Sequence, residues 1–232
     1  MNSALTPVQR PVSTDELLER LLQGPLRTLE QLEQDIFRTR FELTLEDALR
    51  PLRNLYGERN DYESVVTRFV EIAAHAYAQR PTELRLLDLR RQAEPDWFQQ
   101  SNMIGYVCYA DRFAGDLKGV AGKIPYLKEL GVTYLHLMPL LQPRPGPNDG
   151  GYAVMNYRQV NEQLGTMADL AALAARLRQE GISLCIDLVC NHTAKEHRWA
   201  QRAMAGDTVY QNYYHMFADR ELPDQYERTL PE

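Results

Sequence analysis

The sequence predicts an α/β fold with a parallel sheet, preceded by an all-helical region. Three observations carry this. From about residue 103, runs of strand length alternate with amphipathic stretches of helical length, in the order strand–helix–strand–helix–strand. The last run, Ile182–Cys190, is almost continuously apolar between Gly181 and a polar cluster, the pattern of a strand buried on both faces. Residues 1–100 show helical periodicity throughout. The alternation implies right-handed crossovers. Two architectures satisfy it: an open doubly wound sheet, or the first three strands of a (β/α)8 barrel.

Composition narrows the functional classes. The 232 residues are 44% apolar and 25% charged, with a formal net charge of −6. That balance argues against a nucleic-acid partner or an anionic membrane surface, which favour a basic face. No apolar run approaches the roughly twenty residues of a membrane span. The N-terminus shows no apolar signal region, so a cytoplasmic location is expected. Cys108, Cys185 and Cys190 all fall in expected strands. Their number and spacing fit no disulfide framework or zinc motif, and buried, reduced thiols are expected.

In the helical region, Ser13 or Thr14 caps a helix over Asp15–Leu22, ended by Gly24-Pro25. A leucine-rich segment follows from Leu26 to Leu55, with a break expected at Pro51 and an end at Gly57. Asn60 or Asp61 caps the next helix, whose expected apolar face is Val65, Val66, Phe69, Ile72, Ala73 and Ala76. His75 beside that face reads as a core or boundary histidine, and the charged residues as solvated faces. Pro81 opens a further helix through Leu84, Leu87 and Leu89, and Pro95-Asp96-Trp97 marks a junction. This region carries no recognisable chemistry and offers a homodimer surface.

Beyond the junction, Ile104–Ala110 reads as a strand, Leu117–Leu130 as a helix interrupted at Pro125, and Val132–Met138 as a second strand closed by Pro139. A long loop, 140–165, is rich in Pro, Gly and Asn, and long loops in compact domains usually carry function. Thr166 and Asp169 form a capping-box start for a helix lined by Met167, Leu170, Leu173, Ala174 and Leu177. Then comes Ile182–Cys190, interrupted by Asp187 and followed at its rim by Asn191 and His192. An ionisable group in such a run is costly without a partner, so Asp187 is a structural acceptor or part of a site. Residues 193–232 are polar and aromatic, a large excursion that points to a barrel with an inserted lobe.

Several chemistries are excluded. No Gly-x-Gly-x-x-Gly follows a strand, no Walker loop occurs and no nucleophile elbow is present. His192 and His197 are five apart, a spacing that supports no metal pair, and His136 reads as a core or rim histidine. In Asn148–Val154, NDGGYAV, the composition encodes a turn. A turn that presents a carboxylate, Asp149, and a ring, Tyr152, at a strand rim also suits a sugar.

The segment IDLVCNH resembles the Asp-x-x-x-Asn-His signature of the α-amylase superfamily. Together with GDLKGVAGKIPYLKELGVTYLHLMPL, DGGYAV, NHTAKEHRWAQRAMAGD and FADRELPDQYERTLP, it resembles the amylosucrases of glycoside hydrolase family 13. The resemblance implies a (β/α)8 TIM barrel. It divides the chain into an all-helical N-terminal domain (1–100), the first part of the barrel (101–190) and the start of an inserted lobe after the third strand (191–232). It further implies transfer of glucose from sucrose to an α-1,4-glucan with release of fructose, by a retaining mechanism. The nucleophile and acid/base carboxyls would lie beyond residue 232, so no catalytic carboxyl is expected within the chain. Residue by residue, Asp149 would close the floor of the glucose pocket, Tyr152 would stack under the sugar and His192 would bind its hydroxyls. Asp187 and Asn191 would be structural, with no metal and no cofactor. Sucrose and α-glucan acceptors are the partners implied. A sucrose hydrolase or sucrose isomerase-like relative, another α-amylase-superfamily glycosidase, or a non-catalytic sugar-binding relative are the alternatives.

Overall fold

The computed structural model describes residues 13–229; expectations drawn from residues 1–12 and 230–232 lie outside them. The described residues fall into two compact units divided between Pro95 and Asp96. Among them no helix is long and apolar enough to cross a membrane.

The first unit consists of four helices: α1 (Thr14–Gln23), α2 (Gln31–Tyr56), α3 (Tyr62–Gln79) and α4 (Thr82–Ala93). A capping box starts α1: Ser13 Oγ accepts from the Glu16 amide at 3.1 Å, and Glu16 Oε2 accepts from the Ser13 amide at 3.2 Å. Leu17, Leu18 and Leu21 of α1, Phe37, Phe41, Leu45 and Leu49 of α2, and Val66, Val70 and Ala74 of α3 share one core. The break expected at Pro51 does not occur, and α2 runs through it. A proline inside a helix costs about 3 kcal/mol. Here Leu45 and Leu49 before it and Leu52 after it are packed into the same core, while Pro51 faces solvent.

Three further expectations are corrected in this unit. The buried face of α3 is turned from the one anticipated: Val66, Val70 and Ala74 are buried, whereas Val65, Phe69 and Ile72 are exposed. His75 shares that exposure and is not a core histidine. Asp61 precedes α3 without capping it, because its carboxylate accepts the Arg59 guanidinium at 2.8 Å instead. The charged residues are not all solvated either. Arg85 of α4 is buried, pairs with Glu33 of α2 and donates to the Tyr77 carbonyl of α3 at 3.3 Å, so one guanidinium ties three helices.

The second unit opens with a 3-10 turn, Trp97–Gln99, followed by β1 (Gly105–Cys108), α5 (Ala110–Ala114), α6 (Leu117–Gly122), α7 (Ile124–Glu129), β2 (Tyr134–Leu137), β3 (Leu141–Pro143), β4 (Val154–Val160), α8 (Met167–Gln179), β5 (Ser183–Ile186), α9 (Arg198–Met204), α10 (Thr208–Gln211) and α11 (Glu221–Thr229). Strands β1, β2 and β5 form a parallel sheet in that order, with Gly105, Tyr134 and Ser183 aligned and Cys108, Leu137 and Ile186 level at the far end. Side chains alternate across it. Leu135 and Leu137 of β2 and Leu184 and Ile186 of β5 pack with Val120, Ile124, Leu127, Leu173 and Leu177 of the helices. Val107, His136 and Cys185 fall on the opposite face. Pro125 separates α6 from α7 as expected, and the Thr166–Asp169 capping box starts α8.

The sheet corrects the reading of Ile182–Cys190. The strand stops at Ile186, its residues are half-buried, and Leu188 and Cys190 beyond it are exposed. Strand β5 is an edge strand of the described sheet, covered by helices on one face, so its apolar run does not imply burial on both. Cys108 and Cys185 are half-buried and Cys190 is exposed, all three free, so none is the buried thiol expected. The long loop is not irregular throughout: β3 and β4 pair antiparallel within it. Met167, expected on the buried face of α8, is exposed, and Ala110 begins a helix instead of ending a strand. Residues 193–229 carry three short helices.

Leu177 is fully buried between α8 and the sheet. Leu177→Ala is expected to destabilise the protein by about 2–5 kcal/mol through lost burial and the cavity left behind. Leu32→Ala, at a position 70% exposed, should change stability by less than about 0.5 kcal/mol. Chemical denaturation of the two variants measures the contrast, and equal midpoints would contradict the core described.

Candidate sugar-binding site at the sheet rim

The C-terminal ends of β1, β2 and β5 are level, so the residues that leave them share one rim. Parallel α/β folds place ligand sites there. From β5 the first residue out is Asp187. Its Oδ1 lies 2.9 Å from His136 Nε2 on β2, and its Oδ2 accepts the Tyr152 hydroxyl at 3.1 Å. A carboxylate offers only acceptors, so His136 carries its proton on Nε2 in this pair. One side chain thus joins β5, β2 and the long loop, whose donors come 51 and 35 residues away in sequence.

The loop reaches the rim through the turn that joins β3 to β4. Asn148 Oδ1 accepts from the Gly151 amide at 2.9 Å, and Asp149 Oδ1 accepts from the Ala153 amide at 2.8 Å. Gly150 and Gly151 both take left-handed backbone angles, φ +78° and +97°. Each also sits against the rim. A β-carbon on Gly150 would lie 2.7 Å from the Tyr109 hydroxyl, and one on Gly151 3.1 Å from Pro139 Cβ. Tyr109 follows β1 and Pro139 follows β2, so the turn lies across both strand ends. The Arg112 guanidinium stacks 5.3 Å from the Tyr109 ring.

Tyr152 is half-buried beside Leu141, Val154 and Val189. Burial first, and then the hydrogen bond to Asp187 and its charge, push the Tyr152 phenol above its ordinary value. Burial likewise raises the Cys108 thiol and lowers the His197 imidazole.

The structure brings Tyr152 and Asp187 into contact and places Asp149 on the same turn, exposed, with one carboxylate oxygen engaged by the backbone. Asn191 and His192 follow in the exposed segment beyond Val189. The His192 carbonyl accepts from the Tyr157 hydroxyl at 3.0 Å, which ties this segment to β4. The His192 ring does not join the bonds around Asp187. Sequence reasoning missed Tyr109 and the His136–Asp187 pair. The pairing of His136 with Cys185, two residues before Asp187, is the signal that locates the second. Among the described residues no group of three or more His, Cys, Asp or Glu side chains is placed to hold a metal ion. The helical unit holds a mostly apolar groove of about 270 Å³ between α2 and α3, lined by Phe37, Phe41, Leu45, Phe69 and Tyr77 with Arg40 and Thr44.

The family model for the alpha amylase catalytic domain matches residues 92–231. Over 102 residues the chain is 40% identical to an oligo-1,6-glucosidase of Parageobacillus thermoglucosidasius, covering 43% of this chain and 18% of that protein. It is 34% identical over 124 residues to a palatinase of Erwinia rhapontici, covering 53% of this chain and 21% of that one. Among solved structures, the trehalose-6-phosphate hydrolase of Bacillus licheniformis is similar with 34% identity and a TM-score of 0.46, over 51% of this chain and 22% of that chain. The chain spans about a fifth of the length of these relatives. With the family model matching more than half of its residues, the chain belongs to the α-amylase superfamily, glycoside hydrolase family 13, and carries part of its TIM-barrel catalytic domain.

Proposed function

We propose that the rim formed by Asp149, Tyr152, Asp187 and His192 is one side of a glucosyl-binding pocket, in a protein that acts on α-glucosidic bonds by a retaining mechanism. The observation that carries this reading is the Tyr152–Asp187–His136 bond set, which holds an aromatic ring half-buried at the rim. Such a ring offers a flat apolar face to a pyranose, and Asp149 and His192 supply exposed polar groups for its hydroxyls. Retaining chemistry requires a carboxylate nucleophile and an acid/base carboxyl about 5–5.5 Å apart, which the rest of the barrel would provide. The relatives' names, oligo-1,6-glucosidase and palatinase, support hydrolysis of an α-glucoside as the reaction.

A second reading, glucosyl transfer from sucrose to an α-1,4-glucan with release of fructose, rests on the amylosucrase resemblance of residues 103–232. The four-helix unit of residues 14–93 favours it, as amylosucrases carry a helical N-terminal domain. In this reading, residues 193–229 open the inserted lobe, and sucrose and α-glucan acceptors are the partners. One incubation of the complete protein separates the two. With sucrose, transfer releases fructose in excess over glucose and lengthens an added glucan; hydrolysis releases both sugars equally or acts only on isomaltose-type substrates. No turnover of any α-glucoside would overturn the sugar pocket itself.

Tyr152→Ala in the complete protein is expected to raise KM and lower kcat, since stacking worth about 1 kcal/mol is lost. His192→Ala should act mainly on kcat, because its bond to a ring hydroxyl strengthens as the sugar flattens toward an oxocarbenium ion. Steady-state kinetics on one substrate tests both, and a His192→Ala enzyme with wild-type turnover would remove His192 from the site.

Asp187→Ala is expected to lower the melting temperature as well as activity, since it strands both the Tyr152 hydroxyl and His136. Tyr152→Phe should act more mildly and change the pH dependence of stability. A phenol raised on folding contributes stability that is complete below its unfolded value of about 10 and is lost as pH rises through the folded one. Thermal melts between pH 8 and 11 should therefore show the wild-type advantage over Tyr152→Phe fading only at the alkaline end.

A further inference from the structure

We propose that Arg144 and Glu196 form a clasp that positions the glycine turn over the sheet rim, acting on a bound sugar through Asp149 and Tyr152 and not by touching it. The inference rests on the sugar-pocket reading for its functional consequence and on geometry alone for the clasp. Arg144 follows β3 and opens the turn; its amide donates to the Ala153 carbonyl at 2.9 Å, which closes the turn at its base. Glu196 lies four residues beyond His192. Arg144 Nη2 stands 3.6 Å from Glu196 Oε1. Around this pair the two chain segments are already stitched. The Ala194 amide donates to the Val154 carbonyl at 2.9 Å, and the Tyr157 hydroxyl donates to the His192 carbonyl at 3.0 Å.

The pair carries unused bonding capacity. Arg144 Nε and Glu196 Oε2 are both closed off from solvent and have no hydrogen-bond partner. They belong to the two groups that meet at 3.6 Å, and they are complementary, a donor and an acceptor. Ordinary charge-assisted N–H···O bonds are about 2.7–2.9 Å long, and a guanidinium prefers to meet a carboxylate with two of them. Closing the 3.6 Å gap toward the ordinary length would let the two groups bond, and each of them carries one of the orphaned atoms. The clasp is therefore loose here and tightens when the turn is drawn onto a ligand, so part of the ligand's binding energy orders the pocket. Surface ion pairs contribute little, but one with atoms shut away from water is held to its partner, because each alone leaves a polar group without a bond.

The test uses the full chain and the variants Glu196→Gln, Arg144→Met and the exchange R144E/E196R. Hydrogen exchange of the amides of residues 144 and 194 reads the clasp without reference to activity. Glu196→Gln and Arg144→Met are each expected to speed both amides about tenfold while the amides of Leu135 and Cys185, which bond between β2 and β5, keep their protection. The exchanged pair should restore most of the protection, and on an α-glucoside substrate the single variants should raise KM about three- to tenfold with a smaller change in kcat. Unchanged exchange at 144 and 194, or an exchanged pair as exposed as the single variants, would overturn the clasp. Loss of protection extending to Leu135 and Cys185 would overturn it too, because it would show a general structural role. A wild-type protein that turns over no α-glucoside would remove the sugar reading, while the exchange arms would still decide the clasp.

Discussion

The rim is organised by a single acceptor. Asp187 leaves the edge strand of the sheet with a carboxylate that would be costly to place among Val189, Tyr152 and the sheet without donors. It meets two, one from the second parallel strand, His136, and one from the long loop, Tyr152. Because the loss of either donor leaves one oxygen of the carboxylate unpaired, the three elements settle their positions together. The Tyr152 ring is thus fixed through its hydroxyl.

The remainder of the second unit supports that arrangement from a distance. Helices α6, α7 and α8 cover one face of the sheet and supply its apolar partners. The other face carries Val107, His136 and Cys185, and this two-sidedness lets a strand present an imidazole without burying it in the core. A parallel register that keeps Cys108, Leu137 and Ile186 level then brings Tyr109, Met138 and Asp187 out at one height. The helical unit has its own core and its own polar tie, the buried Arg85.

Features governed by neighbours in sequence were legible. The cap of α1, expected at Ser13 or Thr14 and found at Ser13, the capping box at Thr166 and the helix break at Pro125 depend on contacts within four residues, and the residues involved state them. Features decided by packing were not. The phase of α3 depends on which apolar stripe α2 faces, and a run containing Val65, Val66, Phe69, Val70 and Ile72 supports two phases equally well. Pro51 stays helical because of leucines on either side of it. The length of β5 was overread because an apolar run reports burial without saying on which face. In the site, Asp149 and Tyr152 were visible because an Asn-Asp-Gly-Gly turn is strong local chemistry. The link from Tyr152 through Asp187 to His136 was hidden, because it needs the register of two strands 51 residues apart.

Gly150 and Gly151 carry a consequence for how this rim can diversify. Two consecutive backbone positions there are of the mirror-image kind, and each is pressed against a neighbour, the Tyr109 hydroxyl or Pro139. Conformation and space exclude a side chain independently, so no single compensating change relieves both. Drift in the length and composition of the loop is therefore channelled upstream, into 145–147, where the chain is exposed and nothing presses on Gly146. The turn acts as a ratchet on inheritance: however the surrounding loops vary, the ring and the carboxylate that flank the two glycines arrive at the rim at a constant height.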